Sequence, residues 1–184
     1  MRLPGCITMA VLVFLSTAAC AQSKAEAGCP LRGFTDGQRV SIRGKVGQAP
    51  HDMALMVPGC GEAVVLVYAG DPDSGESSDK LLRDASFLRF QKCTRASYWK
   101  VDGKGICMQC PMYEVEATLS GRLDVAPDAV PEGQWKDKLG MLHDSSGKLV
   151  GRAGFGHPAT QRYRLVIELV SDVRARKLPR PRRR

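Results

Sequence analysis

From Arg39 to Val46 the chain alternates: Val40, Ile42 and Val46 fall on one side, and Arg39, Ser41, Arg43 and Lys45 on the other. A period of two with one apolar side predicts a half-buried β-strand. The same pattern is longer and cleaner in "MYEVEATLSGRLDVA". There Tyr113, Val115, Ala117, Leu119, Leu123 and Val125 alternate with Glu114, Glu116, Thr118, Ser120, Arg122 and Asp124. Gly121 lands on the apolar side, where a tightly curved strand has use for a residue without a side chain. A third long strand is predicted in "QRYRLVIELVSDV", with Tyr163, Leu165, Ile167 and Leu169 on one face.

Shorter signals fill the spaces. "DMALMV" and "AVVLVYAG" flank the turn sequence "PGCGE" and predict a hairpin. "GDPDSGESSD" reads as a loop. "SSDKLLRDASFLRF" predicts a short helix, with Ser78 or Asp79 as N-cap and Leu81, Leu82, Ala85 and Leu88 along one side. "GMLHDSSGKLVG" predicts a small hairpin turning between Asp144 and Gly147. The fold class expected is therefore mainly β: a small OB-like or related, partly closed β-barrel with one short helix.

Charge changes the picture only after it is placed. The formal net charge is +8, but residues 23–173 are balanced between acids and bases. The excess is Arg2 and the seven bases Arg174, Arg176, Lys177, Arg180, Arg182, Arg183 and Arg184. A neutral body argues against a nucleic-acid domain, which carries its basic charge on the folded surface. The organisation expected is a signal peptide over 1–20, a tether over 21–38, an OB-like domain over 39–173 and a basic, disordered tail over 174–184. Pro179, Pro181 and like-charge repulsion keep the tail from forming a helix.

The amino-terminal layout is one Arg, an apolar run from Cys6 to Leu15, then small residues to Cys20. This is the pattern of an export signal, and the run is too short for a transmembrane helix. Two cleavage readings stand side by side. "TAAC" resembles the lipobox of bacterial lipoproteins, which would make Cys20 the lipidated first residue. Ala19-Cys20-Ala21 also fits ordinary signal peptidase, which would leave a soluble periplasmic chain beginning at Gln22. If Cys20 is acylated, the following Ala21 resembles the sorting position of lipoproteins held in the outer membrane and facing the periplasm.

"VSIRGKV", "EATLSGRLDV" and "YRLVIELVSDVRA" resemble stretches of small exported proteins of Gram-negative bacteria with an OB-like barrel. The resemblance implies export and fold and carries no activity with it.

Candidate chemistry centres on cysteine. Cys29, Cys60, Cys93, Cys107 and Cys110 are the disulfide candidates in the exported domain, because pairing is the default in an oxidising compartment. Cys29 with Cys60 is the first pairing expected, and Cys93 with either Cys107 or Cys110 the second. A 93–107 bridge closes a loop of about fifteen residues and is worth roughly 3 kcal/mol by chain entropy. It requires "TRASYWKVDGKG" to be irregular, since a tight hairpin at Gly103-Lys104 would set Cys93 opposite Glu114. The competing reading of "CMQCP" is thiol-redox or soft-metal chemistry with copper or zinc through Cys93, Cys107 and Cys110. Met108 and Met112 would add thioether sulfur, and Cys60 or a histidine a fourth ligand. Against it, a zinc ribbon needs a second C-x-x-C, and a thioredoxin-like motif opens a helix in a βαβ unit.

His51, His143 and His157 are scattered and read as solvated loop residues. Trp99 in "ASYWK" reads as a loop anchor. No catalytic residue, metal site, cofactor or nucleic-acid partner is expected. The function expected is that of a non-enzymatic exported envelope protein that binds or inhibits a ligand or protein. Its membrane attachment would be through lipid on Cys20. The alternative is an extracytoplasmic thiol-redox or metal-handling protein.

Overall fold

The computed structural model describes residues 28–48, 52–95, 98–100 and 106–180, with backbone alone for 48, 98–100 and 106–110. The expected signal peptide, Cys20 and His51 lie outside the described residues, as does the end of the expected tail.

Five strands close a ring. β1 (Gln38–Gln48), β2 (Met53–Met56) and β3 (Ala63–Tyr68) form an antiparallel meander. After a helix and a short hairpin comes β6 (Tyr113–Val125), which pairs antiparallel with β1. The last strand, β10 (Tyr163–Lys177), lies between β6 and β3, antiparallel to the first and parallel to the second. The ring order β1-β2-β3-β10-β6, with a helix before the fourth ring strand, is OB-like. The sheet pairs follow the predicted alternation, because a one-residue slip would turn every apolar side chain outward. Val40, Ile42, Leu55, Val64, Leu66, Val115, Ala117, Leu119, Leu123, Leu165 and Ile167 line the interior.

Gly121 lets the ring close tightly. A Cβ there would sit 1.9 Å from the Val166 carbonyl oxygen, so the two strands approach as only glycine permits. The approach coincides with a register shift in β10 between Ile167 and Leu169. The inserted residue reverses the in–out parity. Leu169, expected in the apolar face, is therefore only partly buried, and Val170 and Val173 enter the core instead. A second shift follows at Asp172, whose φ is 48°.

The helix α1 (Ala85–Arg95) starts later than predicted. Asp84 caps it, its Oδ1 accepting from the Phe87 amide at 2.8 Å. Ser78–Lys80 form only a 3-10 turn. The buried side of α1 is Phe87, Phe90 and Thr94, while Leu82 and Leu88 are 55% and 58% exposed. Phe87 packs edge-on to Tyr68 at 5.5 Å, so α1 covers one end of the barrel.

Two boundaries move. The expected tether includes Leu31, fully buried, and Cys29, bonded to Cys60, so residues from Cys29 onward belong to the domain. The expected tail begins inside β10, where Arg174, Arg176 and Lys177 pair in register with Glu116, Glu114 and Tyr113. Arg176 gives the reason: its guanidinium pairs with Glu114 across the strands, and charge that repels within a free tail is neutralised there.

The remaining strands lie outside the ring. β4 (Tyr98–Lys100) and β5 (Ile106–Pro111) pair irregularly. β7 (Gln134–Lys136), β8 (Met141–Asp144) and β9 (Leu149–Arg152) form a three-stranded sheet inserted between β6 and β10.

Candidate functional site

OB barrels bind ligands on the outer face of the second and third strands and on the loops beside it. Here that face is plain. Register puts Ala54 beside Val65, and Met56 beside Ala63, all pointing outward. These side chains supply neither an aromatic platform nor a cation, the two things a nucleic-acid strand would need. Val65 is itself buried, and a Cβ on Gly156 would lie 3.0 Å from its Cγ2, so the 153–161 segment covers it.

The wall next to it is locked rather than open. Asp124, 7% exposed, accepts from Arg122 Nε at 2.7 Å and from Arg164 Nε at 2.9 Å. Arg122 also pairs with Glu76 and donates to the Ser74 carbonyl at 2.7 Å, while Arg164 donates to the Asp73 carbonyl at 2.7 Å. The Arg164 guanidinium lies 4.7 Å from the Phe155 ring centroid. Two arginines on adjacent strands thus tie the 70–78 loop and the 153–161 segment to the barrel. The charge-assisted bonds are nearly saturated, which suits a clamp more than a site awaiting a ligand.

The inserted sheet is built differently. In the turn between β8 and β9, Asp144 Oδ1 accepts from the Ser146 hydroxyl at 2.6 Å and from the Ser146 and Lys148 amides at 2.9 and 3.0 Å. The Ser146 hydroxyl and these amides hold its carboxyl below the ordinary range, and Gly147 completes the turn at φ 84°. In the turn between β7 and β8, Asp137 accepts from the Met141 and Leu139 amides. The Met141 amide, with His143, likewise lowers the Asp137 carboxyl. Leu142 is buried on one face of this sheet.

The other face carries a row. Trp135 pairs with His143, and His143 with Leu149, across the three strands. The Trp135 and His143 rings stack at 4.4 Å with 17° between planes. His143 is oriented on both sides: Nδ1 lies 3.2 Å from the Gly147 carbonyl oxygen and Nε2 3.2 Å from Asp137 Oδ2. A register shift between Leu142 and His143 places an extra residue, Val150, beside Leu149. Trp135, Leu149 and Val150 are 49%, 52% and 47% exposed. The result is a rigidly supported aromatic and aliphatic surface facing solvent. The sequence pattern predicts the hairpin from Gly140 to Gly151 but no strand at Trp135, and it leaves His143 as a loop residue. The missed signal was the short strand in "GQWK", too brief for periodicity to show.

The cysteines divide. Cys29 and Cys60 are bonded, as expected, pinning the segment before β1 to the β2–β3 turn. That bond removes Cys60 as a metal ligand. Cys93 is half-buried on α1 and packs against the core. Cys107 and Cys110 lie on β5, with side chains outside the described ones, as does that of Trp99. "ICMQCP" is strand throughout, so its C-x-x-C does not open a helix. Tyr98 pairs with Pro111 and Lys100 with Ile106, with a register shift between them, and Gly103 and Lys104 lie outside the described residues. Among the described residues, no three His, Cys, Asp or Glu side chains come together to hold a metal.

No family model, curated protein or solved structure matches this chain.

Proposed function

We propose that this chain is a non-enzymatic, exported envelope protein, held to the membrane by lipid on Cys20, that binds or inhibits a protein partner through the outer face of β7, β8 and β9. The observation that carries the reading is the exposure of Trp135, Leu149 and Val150 on a sheet whose two turns are held by Asp137 and Asp144 and whose other face buries Leu142. Aromatic side chains at the centre of a supported patch are the usual anchors of protein interfaces. Attachment through Cys20 follows the "TAAC" pattern alone, and mass spectrometry of the mature chain tests it. A lipid-sized increment on Cys20 supports the anchor, whereas a chain starting at Gln22 removes it.

The test of the binding reading is site-specific photo-crosslinking in cells. A benzoylphenylalanine replacing Trp135 is expected to yield a discrete adduct, and one replacing Ser41 on the barrel wall none. Absence of an adduct at 135, with the protein folded and exported, would remove the reading. The thiol or metal alternative predicts instead a 107–110 bridge that interconverts with dithiol, or bound copper or zinc. Non-reducing peptide mapping and metal analysis decide that point, and a Cys93 peptide linked to the 107–110 peptide supports a structural disulfide.

A further inference from the structure

Charge that cancels over the whole domain does not cancel around α1. With 3.6 residues per turn, Leu88, Arg89, Lys92 and Arg95 occupy one exposed arc of the helix, and Leu82 and Arg83 lie on its approach. Arg83, Arg89, Lys92 and Arg95 make no ion pair among the described residues. The neighbouring acids have other partners: Asp84 caps the helix, Asp71, in the groove it shares with Arg83 and Arg95, accepts from the Tyr68 amide, and Asp172 accepts from the Thr118 hydroxyl. A groove of about 430 Å³ beside α1 has Arg89 on one side and Arg174 on the other. Arg174 stands opposite Glu116, whose carboxylate is already bonded to Arg43. Leu82 and Leu88, in the same stretch of chain as Arg83 and Arg89, are more than half exposed.

Basic side chains around protruding leucines, on a helix held flat across a barrel end, make a surface complementary to an anionic bilayer. The ammonium and guanidinium groups meet the head groups, and the leucines enter the acyl boundary. We propose that the α1 face docks on an anionic lipid surface. This surface is separate from the β7–β8–β9 row, so either reading can fail alone.

Residues 22–184, which keep every described element, would be sedimented with phosphatidylcholine vesicles, with and without one part in three of phosphatidylglycerol. Retention is expected on the anionic vesicles at low salt. Arg89→Glu with Lys92→Glu should lower partitioning by at least about thirtyfold, since each basic residue near the surface contributes on the order of a factor of five and each new carboxylate adds repulsion. Lys136→Glu with Lys148→Glu, a matched change of charge on the inserted sheet, should leave retention nearly unchanged. Leu82→Ser with Leu88→Ser should weaken it even where salt screens the charges. Circular dichroism confirms that each variant is folded. Failure of the parent to bind anionic vesicles would overturn the proposal, and so would equal losses from the two charge reversals. Unchanged retention in the leucine variant, with heparin bound as tightly as vesicles, would reassign the face to a soluble polyanion.

Discussion

The barrel wall of β1, β6 and β10 and the barrel end covered by α1 use the same side chains in opposite ways. On the wall, Arg43 meets Glu116 at 2.9 Å, Lys45 meets Glu114 at 2.9 Å, Arg39 meets Glu168, and Asp124 holds two arginines. On α1, Arg89, Lys92 and Arg95 stand beside the exposed Leu88 and make no ion pair among the described residues. Strand register explains much of the first arrangement: Arg164 stands directly opposite Asp124, and Arg43 and Lys45 reach diagonally to Glu116 and Glu114, within the span of long side chains. Helical spacing explains the second, since Arg89, Lys92 and Arg95 recur on one side with no Asp or Glu three or four positions away. The inserted sheet belongs with α1: its turns are saturated and its outward row is left open. Among the described residues, paired surface holds the fold together, and the unpaired surface is where both proposals place a partner.

The largest effect should come from breaking the wall from inside. Gly121→Ala would push a methyl group into the Val166 carbonyl and force β6 and β10 apart, costing about 4 kcal/mol, at the upper end for overpacking. Urea unfolding checks it, and a change too small to measure would show that the close approach is relaxed. Next is the bond between Cys29 and Cys60, which closes a separation of 31 residues. Replacing both with serine should cost about 3.7 kcal/mol by chain entropy while leaving the barrel folded in its far-ultraviolet spectrum.

The smallest effect concerns one rung of the wall. Arg176 and then Lys45 hold the Glu114 carboxyl down to about 2, from an ordinary 4.5. A depressed carboxylate contributes stability above its unfolded pKa and loses it as the pH falls toward its folded one. The unfolding midpoint of the parent should therefore drop more between pH 4.5 and pH 2 than that of Glu114→Gln, and the two should converge in stronger acid. Parallel curves across that window would mean that the rung is screened by solvent.

Much of the wall was legible because alternation and register carry the same information. Tyr113 to Val125 announced both the buried face and the charged face of β6. What alternation could not show was where the period breaks. Leu169 lost its place to Val170 because a one-residue bulge at Gly121 shifts parity, and a bulge has no periodic signature. Net charge misled for a related reason. It placed the free basic residues in the tail, yet Arg176 is paired within β10 and the unpaired group sits on α1. Counting charge along a chain says nothing about which acid each base will meet. Trp135 stayed hidden because three residues of strand are too few to show a period, and its neighbours His143 and Leu149 come from two other strands. Of the cysteine pairings, 29–60 was the first expected, on the expectation of an oxidising compartment, which needs no knowledge of the fold.

The division between paired and open surface is tested most directly by following stability and partner capture together in two variants that carry the crosslinker at position 135. Asp124→Asn leaves two arginines without their shared carboxylate and should lower stability by about 2 kcal/mol, while the 135 adduct persists as long as the protein is folded. Leu149→Ser lies on the open row and should leave the unfolding midpoint within about 0.5 kcal/mol of the parent, while the adduct disappears. An adduct that survives Leu149→Ser, or a Leu149→Ser variant that unfolds as readily as Asp124→Asn, would contradict it.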